Sequence, residues 1–370
     1  MAIHFEVFPG AHAIGRDVWN ELAVDASPMM EWEYFHALED SGAVHADRGY
    51  RPSHLMAFAG ERPIALAPLY ERDRAWVEFG DGGLIEFLTE LTGIPFHKGL
   101  VGMIPYTPVP AYEFLHRRGT GVVETARLLL NYIDYLCEKR GLITCRLYFV
   151  SQRASPLHEV LRESGFVNLK SEYSLWFNRG YHCFEDYLAS FKSSRRTKIK
   201  RELRTIEQQG IQIRMVPGTD APSSYFAGMY RLYRSTWTKH MGNGIRPFLN
   251  EKFFMNLAEN YRERISFWVA SQGGRDLAMA LFYGKGGSIY GRYWGCFEEV
   301  PFLHFATCYY RPIEYAIQHG IQTVDPGFGG EHKLIRGFEV VPVEHYIKFY
   351  GERNRRVAYS ILEQMRSSPM

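Results

Sequence analysis

The residues best suited to chemistry lie in one run, Asp325-Pro-Gly-Phe-Gly-Gly-Glu-His-Lys-Leu-Ile-Arg-Gly-Phe338. It falls where a strand pattern ends and a helical one begins. Gly327, Gly329 and Gly330 allow the backbone to approach a ligand closely, and Asp325, Glu331, His332, Lys333 and Arg336 follow within a few turns. Carboxylates, an imidazole and two cations in that space suit proton transfer beside an anionic group. His332 is the best-poised base, with an unperturbed pKa of roughly 6.5. The plainer reading is that Asp325 and Glu331 cap the helix and pair with Lys333 or Arg336.

A second feature is Lys192-Ser-Ser-Arg-Arg-Thr-Lys-Ile-Lys-Arg-Glu-Leu-Arg204, where seven of thirteen residues are cationic and only Glu202 opposes them. On a helix Ile199, Leu203 and Ile206 form the buried face, and at about 100° per residue Arg195 and Arg196 fall within about 60° of it. Lys198, Arg201 and Arg204 project away, as a solvated basic face would. Cations at a helix start oppose the macrodipole, which makes better sense if an anion such as phosphate sits there. Upstream of the glycine-rich run, Tyr290-Gly-Arg-Tyr-Trp-Gly-Cys296 alternates like a strand, and residues 302–315 read as an aromatic helix kinked at Pro312. Tyr293, Trp294, His304, Tyr309 and Glu314 are cleft candidates there, although aromatic residues at helical spacing are more often core.

Other chemistries lose support. The chain has no HExxH, Walker A or GxSxG motif. Its five cysteines, Cys137, Cys145, Cys183, Cys296 and Cys308, show no CxxC spacing, so neither a metal cage nor a disulfide scaffold is expected. Lys plus Arg number 43 against 41 Asp plus Glu, which argues against a surface coated with nucleic acid. With 46% hydrophobic residues the 370-residue chain can bury a large core. No stretch approaches a membrane span and Met1 to Gly15 lacks a signal-like pattern, so a soluble cytoplasmic protein is expected.

The elements that must position these residues are written twice. Gly60-Glu-Arg-Pro-Ile-Ala-Leu-Ala-Pro-Leu-Tyr70 aligns without gaps on Gly273-Gly-Arg-Asp-Leu-Ala-Met-Ala-Leu-Phe-Tyr283, and each reads as a hairpin. Tyr132-Ile-Asp-Tyr135 before Gly141 resembles Pro312-Ile-Glu-Tyr315 before Gly320, each glycine standing where a helix stops. The next strands keep Thr144 opposite Thr323, and each leads to a short helix closing on Gly-Phe, at Gly165-Phe166 and Gly337-Phe338. The repeat is hairpin, helix, strand, helix, strand, a mixed α/β unit. Two domains are expected, residues 1–179 and 180–370. Arg146 stands where the second copy has Asp325, so the second copy is expected to carry the chemistry.

This order is that of GNAT acetyltransferases, and the whole chain resembles the FemAB-like family of GNAT-type proteins, labelled peptidoglycan biosynthesis/recognition. The resemblance rests on Ser27-Pro-Met-Met with Ala37-Leu-Glu-Asp-Ser-Gly42, Pro105-Tyr-Thr-Pro108, the basic run from Ser193 and Tyr293-Trp-Gly-Cys296. It rests also on Leu303-His-Phe with Cys308-Tyr-Tyr310, and on Gly330-Glu-His-Lys333 with Arg336-Gly-Phe338. The family has Glu where this chain has Ala306, and Glu-Pro-Gly where it has Asp325-Pro-Gly327. His116-Arg-Arg-Gly-Thr-Gly121 is the nearest string to the GNAT pyrophosphate loop.

The resemblance implies two tandem GNAT-like domains and transfer of an acyl or aminoacyl group to an amine, a peptidoglycan precursor among the acceptors. The donor would be acyl-CoA or aminoacyl-tRNA as co-substrate, with no tightly bound cofactor and no DNA partner. His332, Glu331 or Asp325 would remove the proton. Arg195, Arg196, Lys200, Lys333 and Arg336, with Gly327, Gly329 and Gly330, would hold donor phosphates. The rival reading is a module that binds a phosphorylated cell-wall precursor or an RNA end without turnover.

Overall fold

The structure, a computed structural model, describes residues 2–74, 79–242 and 244–367. The chain forms two compact units, one of residues 1–171 with 342–370 and one of residues 172–341. These are not the contiguous halves 1–179 and 180–370. Both crossings fall inside long strands, which sequence pattern alone assigns whole to the copy they end.

In the first unit β1 (Ile3–Phe8), β3 (His54–Ala59), β4 (Arg62–Ala67) and β7 (Leu115–His116) form one antiparallel sheet in the order β1-β3-β4-β7. A second sheet contains β2 (Arg51–Pro52), β5 (Tyr70–Arg72), β6 (Gly99–Gly102) and β8 (Thr144–Val150), in the order β8-β6-β5-β2. Pro68 lies between β4 and β5, where a residue without an N–H cannot continue a ladder. The helix Val122–Lys139 buries Ala126, Leu129, Leu130 and Ile133 on one face.

The second unit repeats the plan. Here β10 (Gln212–Pro217), β11 (Ile265–Gln272), β12 (Arg275–Lys285), β13 (Ser288–Cys296) and β14 (Thr323–Asp325) are neighbours in that order. The two hairpins expected from the sequence are present, with Gly60 at φ 62° and Gly273 at φ 57° in their turns. The helix ends are also as expected, with Gly141 at φ 61° and Gly320 at φ 65°. β9 (Val167–Phe177) and β15 (Glu339–Phe349) close the repeats. Phe177 and Trp176 of β9 pair with Thr323 and Val324 of β14, whereas residues 344–349 of β15 pair with β8. Each copy's last strand therefore completes the other copy's sheet.

The helix expected over 302–315 starts at Leu303, is interrupted by π geometry at Ala306–Tyr310 and resumes over Arg311–Gln318. Pro312 has no N–H to return to the residue one turn earlier, and the wider turn lies directly before the helix it starts. Trp176, Tyr187, Ile199, Trp268, Phe282, Tyr310 and Ile313 form the centre of the unit's core. Among the described residues no helix is long and apolar enough to cross a membrane.

Candidate functional site

β13 and β14 run parallel for three residues, with Ser288, Ile289 and Tyr290 against Thr323, Val324 and Asp325. β14 then stops while β13 continues to Cys296. A cavity of about 250 Å³ opens where they part. Its walls are residues 291–294 of β13, Ala280 and Phe282 of β12, His304 and Cys308 of the helical segment, and residues 326–328.

In the first copy the matching place is filled. There β6 and β8 pair in the matching register, Gly99 with Thr144 to Gly102 with Leu147, but β8 runs on and its last residue bridges to Tyr112. The Tyr112 ring occupies the divergence: a Cβ on Gly102 would lie 2.3 Å from its hydroxyl oxygen, which donates to Pro68 O at 3.0 Å. The corresponding residue in the second copy is Gly291, one of the cavity's lining residues, where a Cβ would lie 2.9 Å from the ring of Phe282, another lining residue. In the first unit the string His116-Arg-Arg-Gly-Thr-Gly121 leads into the helix Val122–Lys139, but Arg117 is paired with Glu21 and Arg118 with Asp25.

One wall of the cavity is clamped from behind. Asp325 is 2% exposed, and its Oδ1 accepts from Tyr173 Oη and from the Gly327 N–H, both at 2.8 Å. Its Oδ2 has no hydrogen-bond partner among the described residues. Burial raises the carboxyl above its ordinary range, opposed by the charges of Arg292 and Lys333. Lys333, also 2% exposed, donates from Nζ to Gly327 O at 2.5 Å, and burial lowers its pKa to about 8. Gly327 is thus held at both its N–H and its carbonyl. Its φ of 86° and a Cβ position 3.1 Å from Gly291 O leave no comfortable place for a side chain.

One imidazole lines the cavity and a second packs against it. His304 lines the cavity, packs against Trp294 and Tyr309, and makes no side-chain hydrogen bond among the described residues. Burial lowers its pKa to about 4, with His332 and Arg336 adding to the effect, so it is neutral at pH 7. His332 packs edge-on against it at 6.0 Å between ring centres, and its Nε2 is 2.9 Å from Tyr309 Oη. Burial lowers this histidine too. His304 is among the cavity's lining residues and His332, the better-poised base by intrinsic pKa, is not.

The remaining candidates divide by place. Arg336 is buried and spent: Nε donates to Tyr310 Oη at 2.8 Å, Nη1 to His332 O at 2.8 Å, and Nη2 to Glu202 at 3.1 Å, with Phe305 stacked 3.4 Å away. Lys333 spends one of its three N–H donors on Gly327 O, and Arg336 is turned onto buried oxygens. Arg195 donates to Ile335 O, while Arg196 and Lys200 form no ion pair among the described residues. Glu314 pairs with Arg311 at 2.7 Å and is not among the cavity's lining residues. Tyr293 is buried among Tyr233, Phe253 and Phe254. Gly329 and Gly330 take φ of 76° and 95°, and a Cβ on Gly330 would strike the His332 ring. The side chain of Glu331 lies outside the described residues. Sequence reasoning missed Arg292, Cys308, Tyr173 and the burial of Glu202. Only Arg292 had a local signal, its place on the alternating strand. Among the described residues no group of His, Cys, Asp or Glu could hold a metal ion.

Residues 10–368 match the FemAB-like family, described as peptidoglycan biosynthesis/recognition. The chain belongs to the FemAB-like family. Its architecture is the tandem GNAT-like one that membership implies, and the crystal structure of FemX shares it, with a TM-score of 0.59 at 11% identity over 98% of this chain and 100% of that one. The FemAB-like chain is also similar to the C-terminal domain (DUF2156) of a putative lysylphosphatidylglycerol synthetase from Agrobacterium fabrum. That match has a TM-score of 0.56 at 9% identity over 94% and 95% of the two chains. L-PGS from Bacillus licheniformis matches with a TM-score of 0.51 at 12% identity over 90% and 96%. At such identities the likeness is one of fold. No curated protein matches the FemAB-like sequence.

Proposed function

We propose that this protein moves an acyl or aminoacyl group to an amine acceptor, a peptidoglycan precursor being the acceptor class that its family suggests. The observation that carries the reading is the cavity at the parting of β13 and β14, walled by an imidazole whose ring nitrogens make no hydrogen bond among the described residues. An acceptor amine attacks the donor carbonyl carbon, and the new C–N bond forms as the carbonyl oxygen gains charge. Backbone N–H groups of β13 beyond Tyr290, where its pairing with β14 ends, polarise that oxygen. His304 takes the proton from nitrogen and returns it to the leaving thiol or hydroxyl as the C–S or C–O bond breaks. His332 packs against the His304 ring and positions it, and Asp325 with Lys333 holds the facing wall at Gly327.

The donor is acyl-CoA or aminoacyl-tRNA; both carry phosphates that Arg196 and Lys200, which form no ion pair among the described residues, can meet. The test supplies labelled acyl-CoA and charged tRNA separately, with a nucleotide-linked muropeptide as acceptor. Transfer from either donor, abolished by closing the cavity with Gly291→Leu, is expected. Salt-sensitive ligand binding without transfer from any donor would make this a recognition module and overturn the reading.

A further inference from the structure

The turn Glu331–Arg336 is inside out. Its cations Lys333 and Arg336 are 2% and 3% exposed, whereas the aliphatic residues between them, Leu334 and Ile335, are 47% and 51% exposed. Burial by itself favours the reverse, since apolar side chains gain by leaving water and cations lose. Phe328 and Val340 are 54% and 47% exposed, so four of the fifteen large exposed apolar residues among the described ones fall within positions 328–340. Single exposed apolar residues are ordinary; a run of them beside buried cations is not.

Free cations border this run. Arg195 Nε donates to Ile335 O at 2.5 Å, and a Cβ on Gly337 would lie 2.9 Å from the Phe191 ring, so the turn lies along the start of the helix Ser193–Gln208. Lys198 is three residues from Arg195 and four from Glu202, which Arg336 contacts, and those spacings share a helix face. Lys192 follows Phe191 directly. Both lysines are exposed, and neither forms a side-chain hydrogen bond or ion pair among the described residues.

We propose that this face of the 172–341 unit docks on an anionic lipid surface. Leu334 and Ile335 enter the interfacial layer, and Lys192 and Lys198 meet lipid phosphates. Lipid accounts for both halves of the pattern, because aliphatic burial and headgroup attraction act together at a bilayer surface. RNA would account for the lysines and leave Leu334 and Ile335 without a role. Phe328 also lines the cavity, so docking sets one cavity wall near the lipid surface. The docking does not depend on group transfer, and its test involves no turnover.

The experiment is co-sedimentation of the full chain with vesicles of phosphatidylcholine alone and of phosphatidylcholine mixed with an equal part of phosphatidylglycerol. Retention on the mixed vesicles only, falling with salt, is expected. Leu334→Ser with Ile335→Ser should weaken retention by about tenfold. Lys192→Gln with Lys198→Gln should weaken it by about fivefold per charge and flatten the salt dependence. Circular dichroism and the charge pair, which lies outside the turn, separate a docking defect from a folding one. No retention on the mixed vesicles, or retention unchanged in both double variants, overturns the proposal. Binding of an RNA homopolymer without vesicle retention assigns the lysines to RNA and overturns it as well.

Discussion

Glu202 and Arg336, 134 positions apart in the chain, meet in an ion pair of 3.1 Å with side chains 8% and 4% exposed. The pair ties the helix Ser193–Gln208 to the turn that carries His332, because the same guanidinium donates to the His332 carbonyl. Tyr310 Oη completes the knot by donating to Glu202 and accepting from Arg336. Removing one partner leaves the other charged and buried, which costs roughly 3–5 kcal/mol, whereas an apolar pair of similar volume is often close to neutral. Arg336→Ala should therefore lower the urea midpoint steeply, and Glu202→Leu with Arg336→Met should recover much of the loss. Equal losses in the single and double variants would mean that packing, not charge, holds the knot.

That knot shows what the sequence leaves unread. The hairpins and the stops at Gly141 and Gly320 are local signals, set by turn chemistry. Glu202 occupies a buried position on a helix whose other cues are Ile199 and Ile206, and its partner lies in the far half of the chain. The turn Glu331–Arg336 is too short to have a period, so nothing local says that Lys333 and Arg336 go inward and Leu334 and Ile335 outward. The exchange of β9 and β15 between copies is invisible for a similar reason: a strand's pattern gives its faces, not its neighbour.

Acid should weaken the first unit through His345. This residue is fully buried, its Nδ1 accepts from the Phe149 N–H at 3.0 Å, and Nε2 lies 2.8 Å from Ser171 Oγ. Burial lowers its pKa from 6.5 to about 4, and His116 is lowered similarly. Between those values the unfolded chain binds the proton and the folded one does not. Stability from these groups is therefore intact above about pH 6.5, declines as pH falls, and levels off below about 4. Denaturant midpoints at about pH 7 and about pH 5 should differ less in His345→Gln than in the parent. An undiminished difference would remove His345 as a cause.

Asp325 and Lys333 should titrate as neighbours. The carboxylate raises the ammonium's pKa against the lowering by burial, which leaves Lys333 at about 8. Asn at position 325 keeps an oxygen for Tyr173 and Gly327 but withdraws the charge. Asp325→Asn should move the Lys333 side-chain nitrogen to a lower pKa in an NMR titration while leaving the fold intact. If Asp325 acts by holding the cavity wall, the same variant should change KM more than kcat; a larger loss in kcat would make it a participant in proton transfer instead.

The two imidazoles make separable predictions. His304 lines the cavity and is neutral at pH 7, whereas His332 reaches the site through the His304 ring and Tyr309. A group that takes the reaction's proton contributes about 10²–10⁴ in rate, and one that positions it contributes less. His304→Ala should lower kcat by about 10² or more. His332→Gln, which keeps a hydrogen-bonding group for Tyr309, should keep most of the rate while shifting the pH profile, because a neighbour whose charge lowers the His304 pKa has gone. The reverse ranking, with His332→Gln the slower enzyme at every pH, would make His332 the base and His304 its support.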